Sequence, residues 1–107
     1  MKKGNCFEAN YKALLEKPFD QGWYLCHGVV TGQAGAVKGI RYAHAWLENG
    51  ELVFDYSNGA IVILPKEDYY RIGNIVNVIR YSAREAMMIA LKTGTYGCWD
   101  KLFDKYL

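Results

Sequence analysis

The chain has 107 residues, of which 51% are hydrophobic and 22% charged, and its formal net charge is +2. That length suits one domain, residues 1–107, with one core, and the balance of residues excludes a disordered chain. Lysine and arginine form no basic stripe and no stretch approaches the roughly 20 apolar residues that span a bilayer, so neither nucleic acid nor a membrane is an expected partner.

The cysteines bear on compartment and cofactors. Cys6, Cys26 and Cys98 are odd in number and lack paired spacing, which predicts reduced thiols and a cytoplasmic protein. No C-x-x-C spacing is present, so no zinc is expected, and no motif predicts another cofactor. Met1–Lys3 resembles the start of a signal peptide, but polar residues at positions 8, 10 and 12 interrupt the apolar run that one requires.

The first predicted element is an amphipathic helix over residues 6 to 16 or 17. Asn5 and Glu8 have the spacing of a capping box, and Pro18 stops the helix. Cys6 falls at the first helical position, where free N–H groups and the helix dipole favour a thiolate. Apolar residues recur at helical spacing at Phe7, Tyr11, Leu14 and Leu15.

Trp23–Thr31 is predicted to be a strand that carries the adjacent Cys26 and His27. Neighbours on a strand point to opposite faces, so these two side chains cannot act as a pair, and Cys26 is interpreted as a packing residue. The glycine-rich segment 32–39 is predicted to be a connector. If it also forms the rim of a cleft, Gln33 can donate its amide to a substrate.

The central element is a predicted hairpin over Ile40–Tyr56. Aromatic and β-branched residues flank Asn49-Gly50, which favours a type I′ turn of two residues. That turn sets the register, so that Leu47 is expected to face Leu52. The other expected pairs are Glu48 with Glu51, Trp46 with Val53, Ala45 with Phe54, and His44 with Asp55.

The two faces of this hairpin differ in character. One face is apolar and is interpreted as core; it carries Ala45, Leu47, Leu52 and Phe54. The other face places His44 beside Asp55, close to Trp46. An imidazole next to a carboxylate has its tautomer fixed and its basicity raised, although a purely structural polar pair has the same sequence signature.

The remainder of the chain supplies shorter elements. The pattern predicts a turn at 57–59, a strand at 60–64, a helical turn at 66–71, a strand at 75–81, a helix between Ser82 and Gly94, and a short helix at 99–107. These elements predict an α+β fold in which the N-terminal helix packs on an antiparallel sheet, with helices at the C-terminal end. We expect the Cys6 helix to lie on the Trp46 side of the hairpin.

Three segments in order carry the roles that thiol catalysis needs, namely nucleophile, base and orienting group. They read Asn5-Cys6-Phe7, His44-Ala45-Trp46-Leu47-Glu48 and Val53-Phe54-Asp55. Their order resembles the papain-like and transglutaminase-like cysteine-nucleophile superfamily over residues 5 to 56. The resemblance implies a minimal papain-like core with a Cys6, His44 and Asp55 triad, and it places Trp46 beside the site as a substrate contact.

The implied activity is acyl transfer on an amide, isopeptide or thioester, with a protein, a peptide or a small molecule as substrate. Hydrolysis, deamidation and transfer all use this chemistry. Members of the superfamily often carry a glutamine shortly before the cysteine as an oxyanion donor, and none of the five residues before Cys6 is glutamine.

Alternatives stay open at this point. Cys98, which precedes a tryptophan at the start of a predicted helix, is a rival nucleophile. The chain can instead be a non-catalytic binding or inhibitory protein, for example one encoded by a phage or mobile element. In a third interpretation, the contact between His44 and Asp55 only stabilises the hairpin.

Overall fold

The structure is a computed structural model that describes residues 5–107, without the side chains of Asn5 and Asn58. The signal-like start at 1–3 and the predicted cap by the Asn5 side chain lie outside the described part. The helices and strands in chain order are α1 (Asn5–Leu15), β1 (Trp23–Thr31), β2 (Arg41–Asn49), β3 (Leu52–Asp55), β4 (Val62–Pro65), α2 (Lys66–Gly73), β5 (Val76–Ser82) and α3 (Ala83–Thr93). Single 3₁₀ turns occupy Gly35–Val37 and Ser57–Gly59, and a longer one spans Lys101–Tyr106.

The five strands form one antiparallel sheet in the order β4-β3-β2-β1-β5. The predicted α+β class is therefore confirmed, as is the N-terminal helix packed on an antiparallel sheet. The capping box of Ser82 and Glu85 starts α3, and Gly94 ends it in the left-handed conformation, both as predicted. None of the helices within residues 5–107 combines the length and hydropathy needed to cross a bilayer.

Both faces of the sheet are covered, each by a different helix. On one face, Phe7 and Leu14 of α1 pack against Ala45 and Leu47. On the other face, α2 covers a second cluster that contains Trp46. The expectation that α1 lies on the Trp46 side is therefore wrong, because successive residues of β2 alternate between the faces. The second cluster consists of Cys26, Val30, Trp46 and Val53, so the predicted packing role of Cys26 is confirmed.

The hairpin register differs from the expected one by two residues. Leu47 pairs with Phe54 and Asn49 pairs with Leu52, so the turn residues are Gly50 and Glu51. Gly50 has a positive φ of 59°, as a two-residue turn with glycine first requires. Asn49 stays in β2 because it also pairs with Trp23 of β1. A slip of two residues keeps every side chain on its predicted face.

A buried carboxylate ties α2 and β5 to the sheet. Glu48 is 2% exposed and accepts hydrogen bonds from Trp46 Nε1 at 2.9 Å, Arg80 Nε at 2.8 Å and the Tyr70 hydroxyl. Lys66 Nζ lies 3.5 Å from the same carboxylate. Burial alone raises the pKa of Glu48, but these hydrogen bonds and the Arg80 charge outweigh burial and lower it.

We expect Glu48→Gln to lower the free energy of unfolding by about 1–3 kcal/mol, because glutamine has no charge and only one acceptor oxygen for the Trp46, Tyr70 and Arg80 donors. Urea unfolding followed by circular dichroism measures this change. Glu51→Gln, the same substitution at the exposed turn, is the matched control and is expected to stay within about 0.5 kcal/mol of wild type. Equal midpoints for the two variants would contradict a stabilising role for this network.

Candidate active site

The carboxylate of Asp55 is held by four hydrogen bonds at the end of β3. Its Oδ2 accepts from His44 Nε2 at 2.9 Å and from the Tyr69 hydroxyl at 2.6 Å. Its Oδ1 accepts from the Ser57 backbone N–H at 3.1 Å and from the Ser57 hydroxyl. Burial raises the pKa of Asp55, but the bonds from His44, Ser57 and Tyr69 and the His44 charge lower it to about 2. Asp55 is therefore ionised over the whole physiological range.

His44 lies on β2 with its ring held from two sides. It stacks on Trp46, with ring centroids 6.2 Å apart and an interplanar angle of 26°. Burial lowers the pKa of His44, but hydrogen bonds to Asp55 and Cys6, together with their charges, raise it to about 10. The expected contact of His44 with Asp55 is formed, but diagonally. The shifted register, continued by one pair, places Asp55 opposite Trp46, two residues along the strand from His44.

Cys6 completes this chain of contacts from the first turn of α1. Its thiol is half-buried, and Cys6 is among the groups that raise the pKa of His44, so the two side chains are neighbours. The Nε2 atom of His44 bonds Asp55. A charge on Cys6 also contributes, after burial, to the raised pKa of Tyr42 and of Tyr69. His44 is therefore bonded to Asp55 and lies near Cys6.

The rival cysteine also has an imidazole neighbour, but of a different kind. Cys98 Sγ lies 3.7 Å from Nδ1 of His27. His27 is fully buried, and burial lowers its pKa to about 4. Burial is also the main cause that raises the pKa of Cys98 to about 12. Both groups are neutral at physiological pH, so this pair does not hold a thiolate.

The structure bears differently on the two predicted substrate contacts. Trp46 is 0% exposed and its indole N–H is bonded to Glu48, so it supports the His44 ring and does not line a binding surface. Gln33 is exposed, and its amide donates to the Thr31 carbonyl at 2.8 Å. Its role as a substrate contact stays a prediction.

A shallow groove runs along α1 from a point one turn beyond Cys6. Its volume is about 310 Å³, and Ala9 and Ala13 form its floor on the helix. Tyr56 and the segment 59–61 form the opposite wall. Residues three apart on a helix are neighbours, so Ala9 in this groove is one turn of helix from Cys6.

Several residues around the triad were missed by sequence reasoning. Ser57 follows Asp55 by two residues, a spacing in which an aspartate often accepts the backbone N–H, and this local signal was available. Asn10 sits inside the apolar stripe of α1, where a buried amide stands out. Tyr69 contacts Asp55 through tertiary packing, so no local sequence pattern predicts this hydrogen bond.

Within residues 5–107, no group of three or more histidine, cysteine, aspartate or glutamate side chains is arranged to hold a metal ion. Comparisons with protein-family models, with curated proteins and with solved structures find no match for this chain.

Proposed function

We propose that this protein is a cysteine-nucleophile acyl-transfer enzyme in which Cys6 attacks, His44 moves the proton and Asp55 orients His44. One observation carries the proposal: a thiol at a helix N-terminus, an imidazole with a raised pKa and a fully bonded carboxylate form one chain of contacts. Nucleophilic thiol chemistry uses these three groups in this order.

The proposed reaction has two half-reactions. The Cys6 thiolate adds to the substrate carbonyl carbon, and the negative oxygen is stabilised by the free backbone N–H groups of the first turn of α1. The His44 imidazolium then gives its proton to the departing amine or thiolate as the carbonyl re-forms, which leaves an acyl-thioester on Cys6. In the second half-reaction, water or an amine gives a proton to the neutral His44 and attacks the thioester. The Cys6 sulfur leaves as a thiolate and His44 keeps the proton, which restores the starting ion pair.

The substrate class in this proposal is an amide, an isopeptide or a thioester on a protein, a peptide or a small molecule. The groove beside Ala9 and Ala13 is a candidate place for the acyl portion, and the charged side chains of Lys12 and Glu16 also line it. The three cysteines are unpaired, which supports a reducing compartment such as the cytoplasm. The order of the motifs supports a relationship with the papain-like and transglutaminase-like superfamily.

Selective labelling of Cys6 tests this proposal. We expect a short iodoacetamide pulse at about pH 6 to alkylate Cys6 at least tenfold faster than Cys26 or Cys98. Burial raises the pKa of both other thiols, so they remain protonated. Peptide mass spectrometry reports all three sites in one sample, and Cys6→Ser is the control. Faster labelling of Cys98 would move the nucleophile, and equally slow labelling of all three would overturn the proposal.

A non-catalytic binding protein is the second candidate, and one observation favours it. β4 is an edge strand. Val62 and Ile63 within it and Ile61 just before it are each about half exposed, at 46%, 52% and 58%. Exposed apolar edge strands commonly pair with another chain. Equally slow labelling of the three thiols, combined with a partner that co-purifies through β4, would favour this candidate over the enzyme.

A further inference from the structure

Asn10 of α1 is a polar side chain that is completely buried against the sheet, at 0% exposure. Its Nδ2 donates to the Cys6 carbonyl at 2.8 Å and to the Ala45 carbonyl at 3.1 Å. Its Oδ1 accepts from the Tyr56 backbone N–H at 3.0 Å. Both amide protons and the carbonyl oxygen are therefore used, and they connect three separate backbone segments.

These hydrogen bonds lie at the point where the pairing of β2 with β3 ends. Asn49 and Leu52 flank the two-residue turn and form a hydrogen-bonded pair, so such pairs recur at every second position of the hairpin. Continued along the strands, this register pairs Ala45 with Tyr56. The ladder between β2 and β3 ends before that position, and the Asn10 amide stands between the Tyr56 N–H and the Ala45 carbonyl. A side-chain amide thus replaces one backbone hydrogen bond of the ladder.

This insertion explains how the nucleophile reaches its base. Cys6 belongs to α1, which covers the Ala45 face of the sheet. His44 belongs to the opposite face, which it shares with Trp46. A closed ladder between β2 and β3 separates the two faces, whereas the opening at Asn10 lies directly beside His44 and Asp55. The third bond of the same amide fixes the Cys6 carbonyl at that opening.

We propose that Asn10 is a positioning residue that holds the Cys6 turn of α1 in register with His44 by substituting for the Tyr56–Ala45 backbone hydrogen bond. This inference rests on the proposed function of the triad. The groups that face His44 are Cys6 from α1 and Asp55 from β3, with Tyr69 of α2 reaching Asp55. Asn10 acts on this set through the backbone and touches none of the reacting atoms.

The test measures Cys6 alkylation as a function of pH in Asn10→Asp and Asn10→Ser. Aspartate keeps the acceptor for Tyr56 but faces two carbonyl oxygens without a donor, and serine is too short to bridge them. We expect the ratio of the rate at about pH 6 to the rate at about pH 10 to fall roughly tenfold to a hundredfold, because displacement by about 1 Å breaks an ion pair of this kind. The alkaline rate is expected to remain within about twofold of wild type, since an ordinary thiol, whose pKa is roughly 8.5, is then ionised in the variants as well.

Ser82→Ala is the matched control for lost stability. It removes the capping box of α3 and its bonds to Glu85, which lie outside the triad contacts. We expect a lower thermal midpoint but an unchanged rate ratio. A serine variant that is folded by circular dichroism and keeps the wild-type ratio overturns the inference, whatever the aspartate variant does. An equal fall in the ratio for Ser82→Ala at matched stability also overturns it.

The experiment distinguishes failure of the proposed function from failure of the proposed role of Asn10. If wild-type Cys6 shows no fast reaction at about pH 6, the proposed function itself fails and the role of Asn10 fails with it. If wild type shows that reaction and both Asn10 variants retain it, only the role of Asn10 is wrong.

Discussion

His44→Ala is expected to slow alkylation of Cys6 at about pH 5.5 by roughly a hundredfold, while the rate at about pH 10 stays within about twofold of wild type. The imidazolium beside the thiol stabilises the thiolate, and Asp55 and Cys6 raise the pKa of His44 to about 10 against the effect of burial. An ordinary thiol is only about 0.1% ionised at about pH 5.5, which slows alkylation. The loss is smaller than a thousandfold because a thiolate with an ordinary pKa is a stronger nucleophile than one with a lowered pKa. Iodoacetamide rates across this pH range measure the effect.

The matched control is His27→Ala, the same substitution at the only other histidine. His27 contacts Cys98, and its pKa, lowered by burial to about 4, keeps it neutral throughout the experiment. The control is expected to lose thermal stability, because a buried ring is removed, and to keep the acidic reaction of Cys6. If His44→Ala shows the same pH dependence of Cys6 alkylation as wild type, the proposed ion pair is contradicted.

The contrast between the two histidines shows what burial alone does to a thiol and imidazole pair. His27 has only Cys98 as a polar neighbour, so burial dominates and both groups stay neutral. His44 is also shielded from solvent, with 14% of its side chain exposed, but Asp55 supplies a charge and a hydrogen bond. A carboxylate partner therefore decides which of two similar contacts can hold separated charges.

The contact between His44 and Asp55 and the place of Cys6 at the start of α1 were predictable from sequence, because both depend on local signals. The Cys6 position at the start of α1 follows from the helical stripe and the stop at Pro18. The hairpin turn was misplaced by one residue, since the pairing of Asn49 with Trp23 draws Asn49 into β2. The resulting slip of two residues preserves the alternation of faces, so His44 and Asp55 still meet.

Other features depended on contacts that a single sequence does not encode locally. Both faces of the hairpin carry large buried residues, so patterning could not decide which face α1 covers. The answer depends on α2, whose tyrosines pack on Trp46 and reach Asp55. Similarly, the partners of Asn10 lie 35 and 46 positions away along the chain. Such contacts follow from tertiary packing, which overrides local preference.

Asp55→Asn is expected to keep the fold at neutral pH while lowering the rate of acylation by a thioester probe roughly 10²- to 10⁴-fold, because an amide no longer fixes the imidazolium. It should also change the stability of the protein in acid. The pKa of Asp55 is lowered to about 2 in the folded protein, so its contribution is present above its ordinary value of 3.8 and is lost as the pH falls towards about 2. Urea unfolding of wild type should lose about 2 kcal/mol over that interval, and the variant should lack this loss.

At alkaline pH, the protein is expected to lose the stability that His44 contributes. The pKa of His44 is raised to about 10, so the stability that it contributes is complete below its ordinary value of 6.5 and is lost as the pH rises through about 10. Asp55→Asn removes a principal cause of that rise in pKa and should also reduce the loss of stability at alkaline pH.

Asp68→Asn, at an exposed aspartate paired with Arg71, is the control and is expected to follow wild type in all three measurements. A collapsed thermal transition in Asp55→Asn at neutral pH would show that the pair serves to pin the hairpin, whereas a folded variant with unchanged acylation would remove Asp55 from the triad.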